Sequence, residues 1–174
     1  MANMRFRKVR PSEADHAYSI ICETVEWLRS KNIKQWTEPL PREVFDSRQL
    51  NGENFALVLD GSLAVVLSIV KESPTQWLAE TKGRAVWWLC TLATANQFRG
   101  RDLGRVAVER AIEHVRREGV EELFLDCPYG NGFLPWFYES LGFECAHRKI
   151  VDWPKCGPTD MVLMRCQIME STDR

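Results

Sequence analysis

The sequence predicts an α/β (α+β) fold, a mixed central sheet of about seven strands flanked by helices. Three observations predict it. Asp60-Gly61 lies between two apolar runs, a strong hairpin signal that puts antiparallel strands in the first half. Val86 to Thr94 is a nearly continuous apolar run, the pattern of a central strand covered on both faces. Leu103, Val106, Ala107, Ala111, Ile112 and Val115 then form one apolar stripe at helical spacing, so a helix follows that strand.

The elements follow in order. Met4 to Val9 alternates Met4 and Phe6 against Arg5 and Arg7, the period of a strand. Pro11-Ser12 opens a helix, with Ser12 as N-cap and Asp15 near the positive end of the dipole. Its apolar face is Ala17, Ile20, Ile21, Thr24, Val25 and Leu28, and Lys31-Asn32 stops it. A Trp- and Pro-containing loop, Ile33 to Pro41, leads into a short helix from Arg42 to Leu50. Phe55 to Leu59 and Leu63 to Val70 are the hairpin strands. Glu72 to Lys82, mostly polar and holding Pro74, reads as a loop before the strand Val86 to Thr94. The helix Leu103 to Glu118 is closed by Gly119, a suitable C′ residue. Glu121 to Cys127 is a strand, and Pro135 to Leu141 a helix with proline in its first turn, closed by Gly142. Phe143 to Trp153 and Met161 to Gln167 are the last strands, separated by Pro154, Gly157 and Pro158. The predicted order is β-α-α-β-β-β-α-β-α-β-β.

With 174 residues and no linker or repeat, the chain reads as one domain over residues 1–174. A net charge of -1 argues against a nucleic-acid partner, for which a basic excess is the usual footprint. No run of about 18 apolar residues points to a membrane, and the basic start MANMRFRKVR lacks the apolar stretch of a signal peptide, so the expected location is cytoplasmic. The six cysteines, Cys22, Cys90, Cys127, Cys145, Cys156 and Cys166, contain no C-x-x-C pair and read as reduced, mostly buried thiols. No metal site is expected.

The segment from Thr94 to the helix at Leu103 has the makings of an anion site. The first N–H groups of a helix lack internal partners and carry partial positive charge. Gly100 and Gly104 leave the backbone bare on both sides of the turn, and Arg99, Arg101 and Arg105 add charge. Glycines in a turn with solvated arginines would be the plain alternative.

The run Leu92-Ala93-Thr94-x-x-x-Phe98-Arg99-Gly100-x-x-Leu103-Gly104 resembles motif A of the GNAT family of N-acetyltransferases, Q/R-x-x-G-x-G/A starting at Arg99. Asn131 through Tyr138-Glu139-x-Leu141-Gly142-Phe143 resembles motif B, and the element order matches the GNAT fold. The resemblance implies acetyl-CoA as cosubstrate. The Leu92, Ala93 and Thr94 backbone would pair with the pantetheine amides. Arg99, Gly100, Arg101, Asp102, Leu103, Gly104 and Arg105 would cradle the pyrophosphate. Asn131 would contact the pantetheine or assist the thiol, unless it is a turn residue beside Gly132. The family's middle glycine is Asp102 here. A left-handed Asp102 with its carboxylate turned off the phosphates, or capping the helix, reconciles the two.

By the same resemblance Tyr138 is the general acid for the leaving thiolate, or else a core-edge aromatic. Asp126 is the candidate base. Apolar Phe124, Leu125 and Cys127 would raise its pKa, although a carboxylate there also suits a structural cap. Glu23 and Glu26 are further carboxylates on a helix face that is solvated by default, and His16, His114 and His147 have no motif around them. Gln35 and Trp36 look like a G-I-x-Q-W stretch that borders the acceptor in several GNAT proteins, with Asn32 replacing the glycine. Trp36 would otherwise plug the gap between helices and sheet.

The expected function is transfer of an acetyl group to a primary amine of a small molecule or peptide by direct attack in a ternary complex. A non-catalytic acyl-CoA-binding regulatory module of the same fold is the alternative, motivated by Asp102 and the open choice of base. The resemblance also implies a homodimer through the last two strands. A nucleotide-binding fold is disfavoured, since neither G-x-x-x-x-G-K-[ST] nor G-x-G-x-x-G is present.

Overall fold

The structure is a computed structural model that describes residues 3–130, 132–153 and 157–168. Seven strands form one mixed sheet in the order β1-β2-β3-β4-β5-β7-β6. They are β1 (Met4–Lys8), β2 (Asn54–Leu59), β3 (Ser62–Val70), β4 (Trp87–Thr94), β5 (Glu122–Pro128), β6 (Glu144–Trp153) and β7 (Gly157–Gln167). The helices are α1 (Ala14–Ser30), α2 (Arg42–Leu50), α3 (Leu78–Thr81), α4 (Leu103–Arg117) and α5 (Phe133–Glu139). The β4–β5 pair is parallel, at Trp87↔Leu123 and Trp88↔Phe124. The β1–β2, β2–β3, β5–β7 and β6–β7 pairs are antiparallel. The chain divides into two compact units, residues 1–69 with 90–110, and residues 70–89 with 111–174.

In the first unit the hairpin turn forms at Asp60 (φ 49°) and Gly61 (φ 86°), two successive left-handed residues as a type I′ turn requires. The buried face of α1 is the stripe read from the sequence: Ala17, Ile20, Ile21, Thr24, Val25 and Leu28. Each large apolar side chain buried there contributes about 1.5–3 kcal/mol. Ala17, Ile20 and Ile21 of this face pack with Phe45, Ala56, Val58, Leu63, Val66 and Ala93 into one core. A buried polar chain runs through the same unit without orphaned groups. Ser68 Oγ donates to Asn54 Oδ1 at 2.8 Å, and Asn54 Nδ2 donates to the Phe45 carbonyl at 3.1 Å.

The start of α1 differs from the sequence reading. Ser12 lies within a 3-10 turn, Pro11–Glu13, and is not an N-cap. Pro11 sets the turn, and Glu13 supplies the reach-back instead. Its carboxylate accepts from the Arg10 N–H at 3.1 Å and from Arg7 Nη1 and Nη2 at 2.7 and 2.8 Å.

The second unit departs from the sequence reading at three places. The segment expected to be a loop between β3 and β4 contains a 3-10 turn, Thr75–Trp77, and the short helix α3. Trp77 there is fully buried, so packing rather than propensity shapes the segment. Helix α5 begins at Phe133 rather than Pro135, since a proline in the first turn forfeits no helical bond. Strand β7 begins at Gly157, well before Met161. Ile150↔Asp160, Val151↔Thr159, Asp152↔Pro158 and Trp153↔Gly157 extend its ladder with β6. Pro158 is tolerated because β5 ends its own pairing with β7 at Pro128↔Met161.

The described cysteines are free thiols. Cys127 and Cys166 are buried, Cys22 and Cys90 half-buried, and Cys145 exposed, so burial is less general than expected. Cys156 and Pro154 lie outside the described residues. Among the described residues no helix is long and apolar enough to cross a membrane, and no group of three His, Cys, Asp or Glu is placed to hold a metal ion.

Candidate active site

The turn read as a phosphate site lies in the first unit. After Thr94, the Ala95 N–H donates to the Ala64 carbonyl of β3 at 2.9 Å, which ties down the strand end. A 3-10 turn, Asn96–Phe98, follows, and the chain then passes through Gly100 (φ 74°) and Asp102 (φ 54°) into α4. Two left-handed residues separated by one residue aim the backbone around the helix start. The first helical bond runs from the Val106 N–H to the Asp102 carbonyl at 3.4 Å, so the N–H groups of Leu103 and Gly104 lie ahead of the first intrahelical bond. A Cβ placed on Gly100 would meet nothing within 4 Å, and one on Gly104 only Thr94 Oγ1 at 3.8 Å. The backbone is therefore bare and approachable, which fits a pyrophosphate.

The three arginines are disposed differently. Arg99 faces α1. Its Nε donates to Asn96 Oδ1 at 2.9 Å, its Nη2 donates to Thr24 Oγ1 at 3.0 Å, and its guanidinium lies 4.4 Å from the centre of the Trp27 ring. Arg101 is exposed, 5.5 Å over Phe98. Arg105 Nε donates to Asp102 Oδ2 at 3.1 Å. Asp102 thus has the left-handed backbone that its place in the motif demands, and its carboxylate is paired with Arg105. The Asp102 side chain is 68% exposed.

Beside the turn, an open cleft of about 520 Å³ is lined by Glu23, Glu26, Trp27, Ser30, Asn96 and Arg99. Asn96 Nδ2 donates to Glu23 Oε2 at 3.3 Å. The side chains of Leu92 and Thr94 are half-buried, whereas Ala93 belongs to the core. Trp36 is half-buried and packs on the same core, as does Leu40. Gln35 holds its N–H to the Ile33 carbonyl at 3.1 Å.

In the second unit, Asp126 on β5 accepts from Trp77 Nε1 at 2.7 Å and from Gln76 Nε2 at 3.4 Å. Burial raises its pKa above the ordinary carboxylate value, and these two hydrogen bonds oppose that rise. The segment carrying Trp77 is pinned from β6. Lys149 Nζ donates to Glu80 Oε1 at 2.6 Å and sits 4.4 Å over the Trp77 ring, and Lys149 also bonds the Gln76 carbonyl. Glu80 is held below the usual carboxylate range by that bond to Lys149. Tyr138 lies on α5, which packs on β5, β6 and β7. Its ring is buried edge-on against Phe137 (5.1 Å) and Phe143 (5.8 Å). Asn131 lies outside the described residues.

Sequence reading missed the partners of these residues. Nothing in a mostly polar segment marks Gln76 and Trp77 as the neighbours of Asp126, although a tryptophan there was a signal of burial. Thr24 was read only as part of a helix face, and together with Trp27 it proves to be the seat of Arg99.

A sequence model of the family described as Acetyltransferase (GNAT) family matches residues 21–143. The chain is 25% identical over 144 residues to the uncharacterized N-acetyltransferase YesJ of Bacillus subtilis (strain 168), covering 76% of this chain and 77% of that protein. Its fold is shared with a GNAT-family acetyltransferase from Listeria monocytogenes, with a TM-score of 0.80, 18% identity and 94% of each chain covered. It is also shared with yncA of Salmonella typhimurium, a putative acetyltransferase solved with its cofactor acetyl-CoA. There the TM-score is 0.70, the identity 18%, and the cover 99% of this chain and 98% of that one.

Proposed function

Because the chain belongs to the GNAT family of acetyltransferases and is an acyl-CoA-dependent acetyltransferase, we propose that it moves an acetyl group from acetyl-CoA to a primary amine of a small molecule or peptide by direct attack in a ternary complex. The observation that carries the reading is the turn from Thr94 into α4. There Gly100 and Asp102 are left-handed, the backbone at Gly100 and Gly104 is bare, and the Asp102 charge is tied to Arg105. The acetyl-CoA held by the Salmonella relative in fold supports the choice of cosubstrate.

In this reading the Gly100 to Arg105 backbone receives the pyrophosphate, and Leu92 to Thr94 offers backbone groups to the pantetheine. Asn131 contributes beside the thiol. Gln35 and Trp36 form part of the acceptor wall. Asp126 takes the proton from the attacking nitrogen as the C–N bond forms, and burial tunes it toward that task. Tyr138 returns a proton to the sulfur as the C–S bond breaks. A thiol leaving group with pKa near 8.5 needs no stronger acid than a phenol.

Titration calorimetry with acetyl-CoA tests the first step, and absence of binding at millimolar concentration overturns it. A thiol-release assay over a panel of amines tests the second. The expected result is turnover that falls about 10²–10⁴-fold in Tyr138→Phe. Acetyl-CoA binding without turnover on any amine would instead favour a binding module that does not transfer the group.

A further inference from the structure

Among the described residues, four that are not glycine adopt a left-handed backbone: Asn32, Asp60, Thr91 and Asp102. Asparagine and aspartate tolerate that conformation. Thr91 does not, because it is β-branched, and at φ 56° it sits in the middle of β4. A residue so placed persists only where its surroundings over-determine it, and such outliers concentrate at functional sites.

One partner of Thr91 comes from the last turn of α2. Arg48 Nη1 donates to Thr91 Oγ1 at 3.0 Å, both side chains being half-buried. On the other side of Thr91 the strand is held by Ala93, buried in the core, and by the Ala95 N–H on the Ala64 carbonyl. Leu92, Ala93 and Thr94 lie between these anchors. A left-handed residue re-aims everything that follows it in a strand, as a bulge does.

We propose that Arg48 is a positioning residue, whose bond to Thr91 Oγ1 fixes the left-handed step in β4 and so aims the Leu92 to Thr94 backbone at acetyl-CoA. The inference rests on the acetyl-CoA reading above. It makes α2 part of the coenzyme site through a side chain that need not touch the coenzyme.

The test is calorimetric binding of acetyl-CoA to the full chain, with thermal melting alongside, for the wild type, Arg48→Met, Thr91→Val, Thr91→Gly and the double variants. Loss of one half-buried hydrogen bond to a charged group predicts about tenfold weaker binding for Arg48→Met, and for Thr91→Val alike. Arg48→Met combined with Thr91→Val is expected to be no weaker than either alone, since both remove the same bond. Thr91→Gly adopts the left-handed step freely, so Arg48→Met in that background is expected to change binding less than about twofold. A merely structural Arg48 would instead lower melting and binding equally in both backgrounds, and that additivity overturns the proposal. So does an Arg48→Met protein that binds like the wild type. A wild type that fails to bind acetyl-CoA overturns the coenzyme reading itself. If Arg48→Met fails to fold, the glycine-background pair and Thr91→Val decide the matter.

Discussion

The indole of Trp77 donates its Nε1–H to Asp126 Oδ2 at 2.7 Å, so a fully buried aromatic from the β3–β4 connection holds the candidate base of β5 in one orientation. The bond favours the charged carboxylate, while burial favours the neutral one and prevails. The titratable groups around this pair are Lys149 over the Trp77 ring, Glu80 bonded to Lys149, His147 edge-on to the same ring, and the Cys127 thiol next in the chain. A base acts once deprotonated, so the acid limb of kcat/KM is expected above the ordinary carboxylate range. Trp77→Phe removes a bond that held the value down, and the limb should move to higher pH. The pH–rate profile of the two proteins checks this. A lower melting temperature with an unmoved limb would make the Trp77–Asp126 bond purely structural.

Asp102 carries opposite demands. Its backbone is left-handed, and its charge sits beside the proposed phosphate site. Asp102→Gly satisfies the backbone and removes the charge, so it should bind acetyl-CoA at least as tightly as the wild type. Asp102→Ala also removes the charge but strains the left-handed backbone, so it should be about 1 kcal/mol less stable than Asp102→Gly. Calorimetric binding and melting of both variants separate the two effects.

Glu13 should make the protein acid-sensitive. Its bidentate bond with Arg7 holds its pKa at about 2, below the ordinary 4.5. A depressed carboxylate contributes stability that is present above the unfolded value and lost as pH falls from about 4.5 toward about 2. Glu13→Gln is expected to cost about 1–2 kcal/mol at neutral pH, allowing for partial solvent screening, and the gap from wild type should close at pH near 2. Urea unfolding of both proteins across that window measures it.

The thiols should react in an order set by burial. Burial pushes Cys127 up to about 12 and raises Cys166 as well, whereas Cys145 is exposed. With a maleimide at neutral pH, mass spectrometry should find Cys145 labelled in the native protein, and Cys127 and Cys166 labelled only on unfolding. Early labelling of Cys127 would contradict its enclosure on β5.

The strands and the long helices could be read in the sequence because their burial is periodic. The α1 stripe, the Asp60-Gly61 turn and the α4 stripe each state their geometry locally. Helix α3 could not be read, since what forms it is Trp77 finding a pocket and Lys149 arriving from β6. The early part of β7 was hidden for a related reason. Gly157, Pro158 and Asp160 have little strand preference of their own and are held by register with β6. At the site, the left-handed Asp102 was legible because an aspartate stood where the family has glycine. Thr91 was not, because an unbroken apolar run gives no sign of a reversed residue within it. Arg99 reads as charge for a phosphate, but its partner Thr24 lies 75 residues away in the chain.

Arg99 is at once a member of the phosphate turn and a wall of the cleft that also contains Glu23, Glu26 and Trp27. A side chain shared in this way is a mechanical link. Any molecule that settled in the cleft and drew on Arg99 would alter the seat of the turn, and loading of the turn would alter the cleft by the same factor, since coupling between two bound species is reciprocal. For two such occupants the coupling would run through the contacts that Arg99 makes with Thr24 and Trp27.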